Sequence, residues 1–242
     1  MGKDKIIAMI PARMGSTRLA MKNLVLIDGR PMIYYAIAAA KAAGIFDRIV
    51  LNSENAIFGE IAKRYSVDFY LRPEKLGSST AKSDDVVDDF MSRYPAEITA
   101  WVNPTSPLQT GEEIRKVVEC FISEQLDTLI TVRSEQVHAL YGGRPLNFKV
   151  DEQFAQTQDI MPVERFVYSV MMWRNEVFRR TFSVKGYALF CGKIGYFPVS
   201  KESALIVKTE EDIKLIDYIA TGKAMKAGAP LTYDPIAPRS TE

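Results

Sequence analysis

The stretch "MIPARMGSTRLAMKN", residues 9–23, follows directly on the apolar Ile6, Ile7 and Ala8 and gathers Arg13, Arg18, Lys22, Gly15 and Ser16 into one short segment. A strand that ends in Pro11 does not pass at once into a helix, because proline fixes φ and offers no N–H to a following turn. The spacing therefore predicts a strand over 6–10 followed by an irregular loop. In open α/β sheets ligands sit beyond the carboxyl ends of the strands, and the loop after the first strand is the usual place for phosphates. Here Gly15 lets backbone approach an anion, Ser16 and Thr17 offer hydroxyls, and Arg13, Arg18 and Lys22 bring positive charge. The loop is neither GxGxxG nor GxxxxGK[ST], so neither the dinucleotide fingerprint nor the Walker loop is present as a literal match.

Outward from this loop, short apolar runs alternate with segments of helical period. Further strands are predicted over 48–52, 67–71, 98–102 and 127–132. "PMIYYAIAAAKAAG" opens on Pro31, suited to a first helical turn, and stops at Gly44, suited to a C-terminal cap. "TGEEIRKVVECFISEQ" sets Ile114, Val117, Val118 and Phe121 on one face, which makes Cys120 a packing residue. The fold class is α/β: a mostly parallel, doubly wound, Rossmann-like sheet in a single domain over 1–242. From Val137 the rhythm breaks, and the Gly142-Gly143 signal predicts a hairpin excursion over 137–170. The tail "APLTYDPIAPRSTE" reads as a loosely held terminus.

At 242 residues the chain is long enough to build a core without staples. Its 31 Lys and Arg against 30 Asp and Glu leave a net charge of +1, so an anion site must be local and no general attraction to nucleic acid or membrane is expected. Cys120 and Cys191 form no CxxC, and His138 stands alone, so neither a zinc ribbon nor an imidazole metal site is expected. No apolar run approaches the roughly 20 residues of a membrane helix. No signal peptide is read at the start, and a cytoplasmic protein is expected.

These motifs together resemble the acylneuraminate and 3-deoxy-octulosonate cytidylyltransferases. "IPARMGSTRLAMKN" is similar to their first loop, "LIDGRPMIYYAI" to the step into the first helix, "LRPEKLGSSTAKSDDVV" to their RP-x-x-L segment, "VNPTSPLQ" to QPTSPLR, and "QTQDIMPV" to R-x-QD-x-P. The resemblance implies a transferase that moves CMP from CTP onto a sugar acid and releases pyrophosphate. Attack on the α-phosphorus gathers negative charge, which calls for preorganised cations and N–H donors. Arg13 and Lys22 are the catalytic candidates, and Ala12, Arg13, Gly15, Ser16 and Asn23 would hold the triphosphate end of the nucleotide. By the same resemblance Arg72, Ser83, Asn103, Thr105 and Ser106 would line the nucleoside pocket, and Gln158, Asp159 and Tyr168 would face the sugar. On the residues alone, Thr105 and Ser106 between Pro104 and Pro107 equally satisfy a turn, Arg72 equally sits in an extended connection, and Tyr168, Trp173 and Phe190 are equally core. Asn103 stands where the family has glutamine; its amide still offers a donor and an acceptor to a base. The resemblance further implies a homodimer formed through the excursion, one subunit's segment lying near the other's sugar site.

One departure stands out. Ahead of the last helix the family reads D-x-D-T-x-x-D, its first two aspartates holding Mg²⁺; here Ile206 and Lys208 occupy those positions. Thr209 and Asp212 remain, at the spacing of a helix N-cap with an acid at N3. Glu54 and Ser79 also depart from the family pattern. Three readings stay open: Lys208 serves as a catalytic cation in place of the metal, the protein binds a nucleotide or a sugar acid but turns over slowly or not at all, or Mg²⁺ is kept by phosphates, water and another carboxylate such as Asp159.

Overall fold

Strand β1 (Asp4–Pro11) lies inside the sheet, and Ile7, Ala8, Met9 and Ile10 are all fully buried. That explains the unbroken apolar run: a strand covered on both faces shows no alternation. The computed structural model describes residues 4–15 and 19–226. After β1 the elements are β2 (Leu26–Ile27), β3 (Arg30–Pro31), α1 (Met32–Ala43), β4 (Arg48–Ser53), α2 (Ile57–Arg64), β5 (Asp68–Leu71), α3 (Ser83–Arg93), β6 (Ala96–Val102) and α4 (Gly111–Ser123). There follow β7 (Thr128–Glu135), β8 (Leu140–Tyr141), β9 (Arg144–Pro145), β10 (Val163–Arg174), α5 (Asn175–Lys185), β11 (Ile194–Pro198) and α6 (Glu210–Lys226).

The central sheet has seven strands in the order β11-β7-β10-β6-β1-β4-β5. All its pairings are parallel except those of β10, which runs against β6 and β7. The expected α/β class and mostly parallel sheet are thus observed, as are the five strands read from the sequence. One face of β1 packs Ala8 and Ile10 with Ile33, Phe58, Ile114 and Val117 from α1, α2 and α4. The other packs Ile7 and Met9 with Val87, Phe90 and Phe178 from α3 and α5.

Local signals act as their chemistry demands. Pro31 sits just outside α1 at φ −61°, and Gly44 closes the helix at φ 66°, a left-handed conformation that costs glycine little. Helix α4 buries Ile114, Val117, Val118 and Phe121. Its first residue, Gly111, lies against α1 so closely that a Cβ there would be 2.7 Å from the carbonyl carbon of Ala42. Arg115 Nε then donates to the Ala43 carbonyl at 2.9 Å, satisfying an orphan acceptor at the end of α1. At the start of α6, Thr209 and Asp212 form the expected reciprocal cap: Asp212 Oδ2 accepts from the Thr209 N–H at 2.8 Å, and Thr209 Oγ1 from the Asp212 N–H at 3.4 Å.

Two sheet strands, β10 and β11, went unread in the sequence, and the expected excursion over 137–170 is correspondingly shorter. The Gly142-Gly143 turn does close a small hairpin, with Tyr141 opposite Arg144. From Val163, however, the chain is already in β10. The two-residue alternation of β10 is broken because its register to β7 shifts between Phe166 and Met171, and Tyr168 takes a positive φ of 57°. The tail over 229–242 lies outside the described residues. Among the described residues no helix is long and apolar enough to cross a membrane.

Candidate active site

At the carboxyl ends of β1 and β6, beside the start of α3, lies a cavity of about 320 Å³. Its lining includes Ala12, Arg13, Lys22, Asn23, Arg72, Ser83, Asn103 and Thr105, which brings together eight of the residues singled out in the sequence. Three of them are cations, and no carboxylate is among the described residues of the lining.

Arg72 forms the floor. It is 5% exposed, and its guanidinium donates to the Asn52 carbonyl at 3.1 Å, the Ala12 carbonyl at 2.8 Å and Glu54 Oε2 at 2.8 Å. One side chain therefore ties the ends of β1 and β4 together. Burial lowers its pKa, opposed by the charge and hydrogen bond of Glu54. The other Glu54 oxygen accepts the Met14 N–H at 2.7 Å, so this acid shapes the first loop from behind. Gly77 makes room for it, since a Cβ there would overlap Glu54 Cγ.

The first loop is held from its other end as well. Lys22 Nζ donates to the Val207 carbonyl at 3.1 Å, and Asn23 Nδ2 to the Arg13 carbonyl at 3.3 Å. Arg13 reaches across the cavity mouth to the Ser78 carbonyl at 3.4 Å. A Cβ on Gly15 would meet no atom within 4 Å, so backbone faces open space there. Ser16 lies outside the described residues, as do Thr17 and Arg18.

The Pro104–Pro107 turn uses much of its own polarity. Asn103 Oδ1 accepts from the Thr105 N–H at 3.1 Å and from Thr105 Oγ1 at 2.9 Å, while Asn103 Nδ2 donates to the Tyr168 carbonyl at 3.1 Å. The acceptor expected to face a base is therefore engaged within the turn, and the second Nδ2 hydrogen is what the amide retains. Ser106 is buried, turned away from the lining, with no partner for its Oγ.

Four other expected residues, Lys208, Gln158, Asp159 and Tyr168, lie outside the lining. Lys208 is exposed just after Val207, whose N–H donates to the Thr105 carbonyl at 2.9 Å; Lys208 itself donates its N–H to Asp212 Oδ2 at 2.8 Å. Gln158 and Asp159 sit on an exposed 3₁₀ turn in the excursion, Gln158 paired with Gln156. Tyr168 contributes its carbonyl to Asn103, while its ring joins Phe166, which also contacts Phe190 and Tyr196, in a half-exposed aromatic group.

The sequence reading missed Trp101 and Ser78 in the lining and saw Glu54 only as a departure. The signal for Trp101 was its place three residues before the Pro-Thr-Ser-Pro turn. Buried polar atoms without partners occur on lining residues: Asn23 Oδ1, Arg72 Nε and Trp101 Nε1. His138 stacks on Phe154 with ring centres 4.2 Å apart, in the structural role expected of it. Cys120 is partly buried, and burial raises its thiol pKa, which suits packing rather than nucleophilic work.

Comparison with known proteins identifies the family. The cytidylyltransferase family model matches residues 7–188. An N-acylneuraminate cytidylyltransferase of Escherichia coli is 35% identical over 120 residues, 49% of this chain and 29% of that protein. One of Streptococcus agalactiae is 26% identical over 217 residues, 86% of this chain and 51% of its own length. The chain thus spans about half or less of these relatives. The post-translational flagellin modification protein B of Campylobacter coli is 25% identical over 93% of this chain and 98% of its own. Among solved structures, a CMP:2-keto-3-deoxy-manno-octonic acid synthetase complexed with CTP superposes with a TM-score of 0.68 at 12% identity, covering 90% of this chain and 99% of that one, which supports the fold. This chain belongs to the cytidylyltransferase family.

Proposed function

We propose that the protein transfers CMP from CTP to a sugar acid. A hydroxyl oxygen of the acid attacks the α-phosphorus, the bond from that phosphorus to the bridging oxygen breaks, and pyrophosphate leaves. One observation carries this reading: among the described residues, a cavity at the carboxyl ends of β1 and β6 is lined by Arg13, Lys22 and Arg72 and by no carboxylate. Such a lining suits a polyanion, because fixed cations stabilise the charge that develops on phosphate oxygens. Arg13 and Lys22 line the space where phosphates would enter; Arg72 and Asn103 shape the end that takes the nucleoside.

The acceptor docks beside Tyr168, where Phe166, Phe190 and Tyr196 offer apolar faces next to the turn that Asn103 anchors. Aromatic faces with polar rims suit a sugar that is apolar on its C–H side. Gln158 and Asp159 reach such an acceptor in a homodimer in which each excursion leans toward the other subunit. The excursion has the surface for it: Tyr141 is 81% exposed, Val150 79%, Met161 77% and Phe154 71%. The protein works in the cytoplasm, where CTP is available.

The test is pyrophosphate release from CTP with a panel of sugar acids: N-acetylneuraminate, pseudaminic acid, a legionaminic acid and 3-deoxy-octulosonate. Release that depends on one of them supports the reading. Tight CTP binding without release for any acceptor contradicts it.

A further inference from the structure

The family resemblance implies a Mg²⁺ ion held by two aspartates ahead of the last helix, and the residues present do not fit it. Ile206 packs against Val167, Val199 and Ala204 in an apolar cluster, and Lys208 is a cation. Ser79, at a position where the family has aspartate, lines the cavity as a neutral hydroxyl. Glu54, close behind the floor, has both oxygens engaged, by the Met14 N–H and by Arg72. Glu74 lies with Glu54 on a neighbouring recess, not on the cavity. Among the described residues no group of three or more His, Cys, Asp or Glu side chains is placed to hold a metal ion.

Magnesium is a hard cation that takes oxygen ligands, usually one or two carboxylates besides water and phosphate. At this cavity it would find Arg13, Lys22 and Arg72 instead. Lys22 is fixed by the Val207 carbonyl at 3.1 Å, which places its ammonium beside the segment where the aspartates would stand, with Lys208 the next residue. Lys22 therefore brings a positive charge up to that segment, and Lys208 adds a second within it. We infer that this protein binds CTP as the free tetra-anion, with Lys22 and Lys208 at the position of the divalent ion. The inference rests on the cytidylyltransferase reading above.

It has a sign that metal-dependent binding does not share. Excess Mg²⁺ converts free CTP to a complex carrying two fewer negative charges, and fixed cations attract the lesser charge less. Calorimetric titration of the whole protein with CTP, in EDTA and in excess Mg²⁺, reads this directly. The expected affinity in Mg²⁺ is equal to that in EDTA within about threefold, or weaker. Binding that Mg²⁺ tightens by more than threefold overturns the inference while leaving the nucleotide site intact. An absence of CTP binding in both conditions overturns the cytidylyltransferase reading itself, so the two failures are told apart. As a readout independent of CTP affinity, the Lys208→Asp variant is titrated with Mn²⁺ in the presence of CTP and followed by the loss of the free-ion paramagnetic resonance signal. Stoichiometric Mn²⁺ capture by the variant but not by the parent protein is expected. Equal capture by the parent overturns the inference, as does a variant that folds and binds CTP but takes up no ion beyond that of CTP alone.

Discussion

The cavity floor and the excursion are held in opposite ways. At the floor, loops from β1, β4, β5 and β6 are tied to one another by polar bonds inside one chain: Arg72 to three oxygens, Glu54 to Met14, Lys22 to Val207, Asn103 to Thr105 and Tyr168. The excursion carries a short hairpin and exposes Leu140, Tyr141, Val150 and Phe154. The first region is finished by its own chain; the second presents surface fit for another. That contrast separates residues proposed to bind nucleotide as they stand from those proposed to act across a dimer.

The contrast breaks most visibly at the floor. Glu54→Ala leaves the buried Arg72 guanidinium uncompensated and is expected to cost about 3 kcal/mol, read by denaturant unfolding. If the loss stays under 1 kcal/mol, the pair is not what holds the loops. Gly111→Ala forces a Cβ against the α1 backbone and is expected to cost about 2 kcal/mol, without altering how CTP affinity responds to salt. Asp212→Asn removes half of the α6 cap for about 1 kcal/mol. Burial alone would raise the pKa of Asp212, but the N–H groups of Lys208 and Thr209 and the Thr209 hydroxyl outweigh it and hold the group below its ordinary value. A depressed folded pKa means that the stabilisation is present above the unfolded pKa and is lost as pH falls through the folded one. The deficit of the asparagine variant is therefore full at neutral pH and closes below about pH 4. A deficit that persists in acid rules out the charged cap. The smallest effect is expected in the excursion, where Phe154→Asp should leave monomer stability within about 0.5 kcal/mol while shifting sedimentation from dimer to monomer. An unchanged sedimentation coefficient would contradict the proposed dimer through the excursion.

Much of this was legible in the sequence where local chemistry decides local structure. Pro31 and Gly44 frame α1, the α4 stripe is buried as its period predicts, and the first loop lies at the end of β1 with Arg13, Lys22 and Asn23 in the cavity. What stayed hidden depended on contacts distant in sequence. Strand β10 does not alternate, because a register shift and the positive φ of Tyr168 break its period. The work of Glu54 is visible only once Arg72, Met14 and Gly77 are brought around it. For Asn103 the residue type led to the expectation of a donor and an acceptor offered to a base, yet its carbonyl oxygen is engaged by Thr105, which no spacing rule reveals.

The central claim is that the loop leaving β1 holds the phosphates of a nucleotide. Calorimetric titration with CTP of the parent protein and of the Arg13→Ala/Lys22→Ala double variant tests it most directly. Two lost charge-assisted contacts predict a drop in affinity of about 100-fold or more, with the variant still folded by circular dichroism. Equal affinity in the two proteins would contradict the account.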